Sequence, residues 1–141
     1  LILLKELKKK FNLTYLYITH ALTVAESVCD SIAVMYLGKI VESAEVQHIF
    51  DSPYHPYTRA LLKSIPDTAR NPGEELEVIK GSVPNPYFRP SGCYFGPRCD
   101  NFIEGKCNQI EPQQIEINDN HFVSCHLYNT VGKGGLKVHE K

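Results

Sequence analysis

The sequence predicts an α/β architecture over its first third, followed by a loop-rich segment that a bound metal centre holds in shape. Three observations carry this. Apolar residues in positions 1–42 alternate between helical and strand-like spacing. Six of the nine prolines fall between positions 66 and 97, where they break helices and central strands. Four of the five cysteines, Cys93, Cys99, Cys107 and Cys125, lie within 33 residues of one another in that irregular part of the chain. The expected divisions are 1–43 for the α/β part, 44–128 for the cysteine-bearing extension and 129–141 for a frayed polar tail.

The composition limits what such a chain does. With 141 residues, 43% of them hydrophobic and 22% charged, it can bury one real core and does not resemble a disordered chain. Lysine plus arginine number 15 against 16 acidic residues, a net charge of −1, so nothing in the total charge favours a general grip on nucleic acid or an anionic bilayer. The longest apolar runs, 1–4 and 32–37, fall far short of the roughly 20 residues a membrane-spanning helix needs. Any membrane role is therefore expected to be peripheral. Five cysteines without a signal peptide point to a reducing compartment, where clustered thiols hold metal more often than they form disulfides.

In order along the chain, Leu1, Leu3, Leu4 and Leu7 with Lys5, Lys8, Lys9 and Lys10 mark an amphipathic helix already under way. No capping residue precedes it, so the chain reads as the C-terminal part of a longer protein. Residues 13–19 (LTYLYIT) form the unbroken apolar and β-branched run of a strand buried on both faces of a parallel sheet. His20 closes that strand. A helix follows from Ala21, with Cys29 on its apolar side, where it is expected as a small buried hydrophobe. Residues 32–37 and 39–42 flank Gly38 as two short strands around a tight turn. A short helix is expected over 44–50, and another over 57–64 begins behind Pro56, a residue favoured at a first helical position.

The cysteine spacing is C-x5-C-x7-C-x17-C. Four thiolates select zinc or an iron–sulfur cluster. Structural zinc sites favour tight C-x2–4-C pairs, so the wider spacing leans toward iron and sulfur while leaving zinc open. Either centre would stabilise the segment by about 10 kcal/mol, by analogy with structural zinc. His121 and His126 flank the fourth cysteine and are expected at the surface or as hydrogen-bond donors behind the ligands rather than as ligands.

Taken together, two stretches resemble a known family. Residues 13–42 (LTYLYITHALTVAESVCDSIAVMYLGKIVE) are similar to the end of the nucleotide-binding domain of ABC transporter ATPases, in particular the subunits that energise dipeptide and oligopeptide importers. SPYHPYTRALLKSIP, GSVP and GCYFGPRC look like the C-terminal extension of that subfamily, with its His-Pro-Tyr motif. The resemblance spans roughly residues 1–127. It implies the C-terminal edge of an ABC-type ATPase domain. It also implies that His20 is the switch histidine contacting the γ-phosphate of MgATP, and that Cys93, Cys99, Cys107 and Cys125 bind a [4Fe-4S] cluster, with Arg98 offsetting part of its charge. The implied partners are a second ATP-binding subunit and membrane permease subunits, at the cytoplasmic face of the cell membrane. Ala21 stands where the family commonly has an acidic residue. These 141 residues contain no Gly-Lys-Ser/Thr, no Asp-Glu pair behind an apolar strand and no Ser-Gly-Gly, so they are not expected to hydrolyse ATP by themselves.

A second reading is a stand-alone, non-enzymatic interaction module built around zinc or an iron–sulfur centre. A third, a zinc-bound nucleic-acid reader using Tyr54, Tyr57, Tyr87, Phe88, Tyr94 and Phe95 as stacking rings, lacks the stripe of Lys and Arg that such readers carry. No nucleic-acid partner is expected.

Overall fold

The computed structural model describes residues 1–65, 79–85, 87–130 and 136–138. Helix α1 (Ile2–Phe11) ends at Asn12, whose φ of 50° and ψ of 47° place it in the left-handed region that asparagine tolerates. Lys8, Lys9 and Lys10 occupy its last turn, where cations suit the helix dipole, and Lys8 pairs with Asp30. Helix α2 (Leu22–Val28) starts after Thr19 Oγ1 accepts a hydrogen bond of 3.0 Å from the Ala21 N–H. Cys29 caps its C-terminal end and is half-buried.

Strands β1 (Ser31–Tyr36) and β2 (Lys39–Glu45) form an antiparallel hairpin whose ends pair Tyr36 with Lys39. Leu37 and Gly38 turn the corner at φ 47° and 83°. Two successive positive φ values match the right-handed twist of the flanking strands. Helix α3 (Val46–Asp51) follows directly and is tied back by the Val46 N–H to the Asp30 carbonyl, 3.0 Å. Helix α4 (Pro56–Lys63) has proline at its first turn, as expected, and an unusual cap: His55 Nδ1 accepts from the Tyr57 N–H at 3.0 Å.

The cysteine-bearing stretch is irregular apart from one 3₁₀ turn (Gly96–Arg98). Then β3 (Ile115–Asn118) and β4 (His121–Val123) form a second hairpin, and β4 pairs with β2 so that Glu42 faces Val123. The four-stranded sheet runs β1-β2-β4-β3, and β2 therefore joins the first third of the sequence to its last quarter. A separate ladder pairs β5 (Tyr128–Thr130) with β6 (Leu136–Val138). The core is built on one side of this sheet from Val34, Tyr36, Val41, Ala44, Ile49, Cys93, Phe95 and Cys107. Phe95 is its hub, with the rings of Tyr36 and Tyr57 each 5.3 Å away.

Several expectations are corrected. The described sheets are antiparallel, not parallel. Residues 13–19 are extended but pair with no described strand, and Leu16 and Ile18 are 92% and 89% exposed. The apolar run records a preference for burial on two faces, and only a neighbouring strand can supply that burial. The β3–β4 hairpin and the β5–β6 ladder were not anticipated, because each strand is only three or four residues long and the expected frayed tail begins inside β5. Part of the expected proline-rich linker, 66–78 and 86, lies outside the described residues. No described helix is long and apolar enough to cross a membrane.

Candidate functional site

The centre of the molecule is a buried carboxylate. Glu42 lies on β2 with no solvent exposure, and an ionised side chain there is costly unless it is fully hydrogen-bonded. Three donors meet it. The Tyr54 N–H lies 2.6 Å from Oε1, the His55 N–H 3.0 Å from Oε2, and His121 Nε2 2.8 Å from Oε1. His121 reaches Glu42 because β4 places it diagonally across from β2 on the same face. It is 1% exposed, with the Tyr54 ring edge-on at 4.7 Å and the His48 ring parallel at 6.1 Å. The expectation of a surface or ligand-backing role for His121 is therefore replaced: its partner is Glu42. His126 instead uses Nε2 against the Ile110 carbonyl, 2.8 Å.

The His-Pro-Tyr motif is the other half of this arrangement. His55 donates its backbone N–H to Glu42, caps α4 with Nδ1, and is 1% exposed. Because Nδ1 accepts, the ring proton sits on Nε2, which, like the Thr58 hydroxyl, has no partner within hydrogen-bonding geometry among the described residues, the Ser124 backbone being the polar group that acts on the ring. Burial, with the Arg59 charge adding to it, lowers the His55 pKa to about 4, so the ring is neutral at pH 7. Pro56 fixes the first helical φ. Tyr57 sends its ring into the core against Tyr36, 4.8 Å, and Phe95. Tyr54 and Tyr128 meet edge to face at 5.4 Å, and the Tyr128 hydroxyl donates to the Tyr54 carbonyl at 2.8 Å.

Phe95 leads from this motif to the cysteines. Cys93 and Cys107 are buried in the core, while Cys99 and Cys125 are half-buried. The Cys93 N–H donates to the Cys107 carbonyl at 2.8 Å. Gly92 makes that approach possible, since a Cβ there would lie 2.4 Å from the Cys107 oxygen. Burial raises the pKa of the Cys93, Cys99 and Cys125 thiols, the last two to about 11 and about 12. The Cys107 charge adds to the rise at all three, and Cys125 is raised by each of Cys99, Cys93 and Cys107. Backbone N–H groups act in the opposite direction: those of Phe95 and Gly96 on Cys93, Asn101 on Cys99 and Leu127 on Cys125. The Ile103 N–H points at Cys107 Sγ, 3.4 Å away.

Each of the four sequence-predicted cysteines thus has at least one backbone N–H near its sulfur, a contact that favours the thiolate. Among the described residues, however, no group of three or more His, Cys, Asp or Glu side chains is arranged to hold a metal ion, so the metal-bound extension expected from the sequence is not shown. Arg98 is also reassigned. Its guanidinium donates to the Lys80 and Ile79 carbonyls at 2.9 and 3.1 Å and to the Tyr36 hydroxyl at 3.4 Å, strapping the 79–81 segment over the core. His20 lies apart from all of this, exposed at the bend before α2.

Residues 41–107 match the family described as oligopeptide/dipeptide transporter, C-terminal region. Both the His-Pro-Tyr turn and three of the four cysteines lie inside the matched region. The chain is also 43% identical over 129 residues to the oligopeptide transport ATP-binding protein AppF of Bacillus subtilis, covering 90% of this chain and 39% of that protein. It is 42% identical over 130 residues to AppD of the same organism, an oligopeptide transport ATP-binding protein, covering 92% and 39%. A putative peptide import ATP-binding protein of Brucella ovis is 41% identical over 123 residues, covering 87% and 38%. The similarity to ATP-binding subunits of peptide ABC transporters thus covers most of the chain, as the sequence implied, while the chain spans about 39% of the length of such relatives.

Sequence reasoning missed Glu42. Its only signal was an acidic residue at the end of an apolar strand, which reads equally well as a solvated end.

Two outcomes follow from this geometry. Replacing Glu42 with alanine leaves two buried N–H groups and His121 without their acceptor and lowers unfolding stability by about 3–5 kcal/mol, measured by urea titration. The His55 ring has a folded pKa of about 4 against about 6.5 unfolded, so the unfolded chain binds the extra proton. Its contribution is complete above pH 6.5 and is lost as pH falls from 6.5 toward 4, by about 1.4 kcal/mol per pH unit at most. His55→Asn keeps a side-chain acceptor for the Tyr57 N–H and is expected to flatten stability against pH in that window.

Proposed function

We propose that this chain is the C-terminal part of the ATP-binding subunit of an ABC importer for dipeptides or oligopeptides. The observation that carries the reading is the similarity, over about nine-tenths of the chain, to ATP-binding proteins named for oligopeptide transport. The subunit works at the cytoplasmic face of the membrane as a peripheral component, paired with a second ATP-binding subunit and with permease subunits that carry the solute path. In this reading the ATPase domain ends near residue 43, within β2, and the extension pairs with that strand through β4.

His20 is the residue of this chain that meets nucleotide. The family resemblance implies the switch histidine at this position, and its exposure leaves the imidazole available to donate to the γ-phosphate of MgATP. A donor aimed at charge that develops in the transition state is worth about 10²–10³ in rate. The phosphate-binding lysine is not among these 141 residues, and turnover requires a subunit that supplies it. In the full-length subunit, His20→Ala is expected to lower ATP turnover by about that factor with nucleotide binding largely retained, read as kcat against Kd. Loss of binding with unchanged kcat contradicts the role.

Cys93, Cys99, Cys107 and Cys125 are read as the ligands of a [4Fe-4S] cluster. Support comes from the donor set: four thiols, two of them buried in the core and two half-buried, with backbone N–H groups near each. Among the described residues no group of three or more His, Cys, Asp or Glu side chains is arranged to hold a metal ion. The donor set fits zinc as well as a cluster, and the choice of a cluster rests on the cysteine spacing and the family resemblance. When bound, the group would supply cross-linking of Cys125 to the 93–107 loop and a redox-active centre. Iron, sulfide and zinc analysis after anaerobic purification tests this. About four irons and four sulfides per chain are expected, and Cys107→Ser is expected to lose them and to raise protease sensitivity over 80–127. One zinc and no iron, or unchanged proteolysis, contradicts the assignment.

A further inference from the structure

A cavity of about 50 Å³ borders the cysteine group, room for one or two waters. Val41, Cys93 and Phe95 form its buried walls, and Lys39 and Glu111 stand at the exposed end with side chains 47% and 48% accessible. Their ends meet at 2.7 Å, so the ion pair lies across the side of the cavity that faces water. Tyr94, directly after Cys93, completes the closure. Its ring is held between two cations, Lys39 Nζ at 5.8 Å and the Arg89 guanidinium at 5.9 Å from the centroid, a contact that favours the ring staying in place. Lys39 is the first residue of β2 and Glu111 lies in the segment after the cysteine loop, so the bar links two distant parts of the chain at the rim of the shared core.

We propose that the Lys39–Glu111 pair is a lid over the solvent path to Cys93, controlling access of small water-borne reagents to the cysteine centre. In its cluster form the inference rests on the iron–sulfur reading above; as a statement about access to Cys93 it does not. The Glu111 hydrogen bond and charge raise the Lys39 pKa, so Lys39 stays a cation through neutral pH. An exposed pair of this kind is weak and salt-sensitive, which suits a lid that opens often rather than a permanent seal.

The test has two arms on the full chain. In the metal-free, reduced protein, iodoacetamide labelling of Cys93 is followed by mass spectrometry with Cys107 as internal reference. In the iron-loaded protein, anaerobic iron release to a ferrous chelator is followed by absorbance. Glu111→Gln and Lys39→Met are each expected to speed Cys93 labelling and iron release about two- to fivefold, and about 1 M salt should bring the wild-type rates toward the variants'. Lys80→Met removes another exposed ion pair of the same loop, Lys80–Asp100 at 3.2 Å, that borders no cavity, and should leave both rates unchanged. Equal acceleration by Lys80→Met, or no change in Glu111→Gln, overturns the lid. A chain that takes up no iron overturns the cluster reading alone, and the labelling arm still decides the lid.

Discussion

One buried carboxylate organises this fold. Glu42 has no contact with water and three hydrogen-bond donors, and those donors come from sequence positions 12, 13 and 79 residues away. A buried carboxyl group without its partners is costly, so the turn before α4, the β4 strand and β2 are tied together through Glu42. The His-Pro-Tyr motif acquires a physical meaning from this. Its histidine supplies one of the donors and caps the helix, its proline sets the helix start, and its tyrosine carries the core contact to Phe95.

From Phe95 the same constraint reaches the cysteines. Cys93 and Cys107 are members of the hydrophobic core rather than ornaments on a loop, and Cys125 follows β4 by two residues, the strand that His121 pins to Glu42. A centre bound by the four thiols would therefore close a loop that the carboxylate has already drawn together. Without regular hydrogen-bond ladders, the 93–110 stretch depends on turn contacts such as Cys93 to Cys107 and Cys107 to Ile103, which by themselves give little cooperativity. The coupling of a polar latch, an aromatic hub and a thiol group explains how an irregular stretch keeps one shape.

Much of the local structure was legible. Helix α1, helix α2, the hairpin at Gly38 and the proline-led start of α4 all follow from short-range rules, periodicity, positive φ and the missing N–H of proline. The β3–β4 hairpin was not legible, because strands of three and four residues carry too little alternation to stand out, and their stability comes from β2. The strand expected at 13–19 failed for the complementary reason: its apolar content is real, but no described strand lies beside it.

The sequence by itself determined the helices and the first hairpin of residues 1–63 and the likeness to peptide-transporter ATP-binding subunits, because these depend on neighbours within a few residues or on motif identity. Only the tertiary structure decided that Glu42 is buried and His121 is its partner, that Arg98 straps a loop rather than faces the thiols, and that Lys39 meets Glu111 over Cys93. Each of these joins residues at least 18 positions apart. Burial and hydrogen-bond partnership across such separations belong to the packed chain, and no local pattern encodes them.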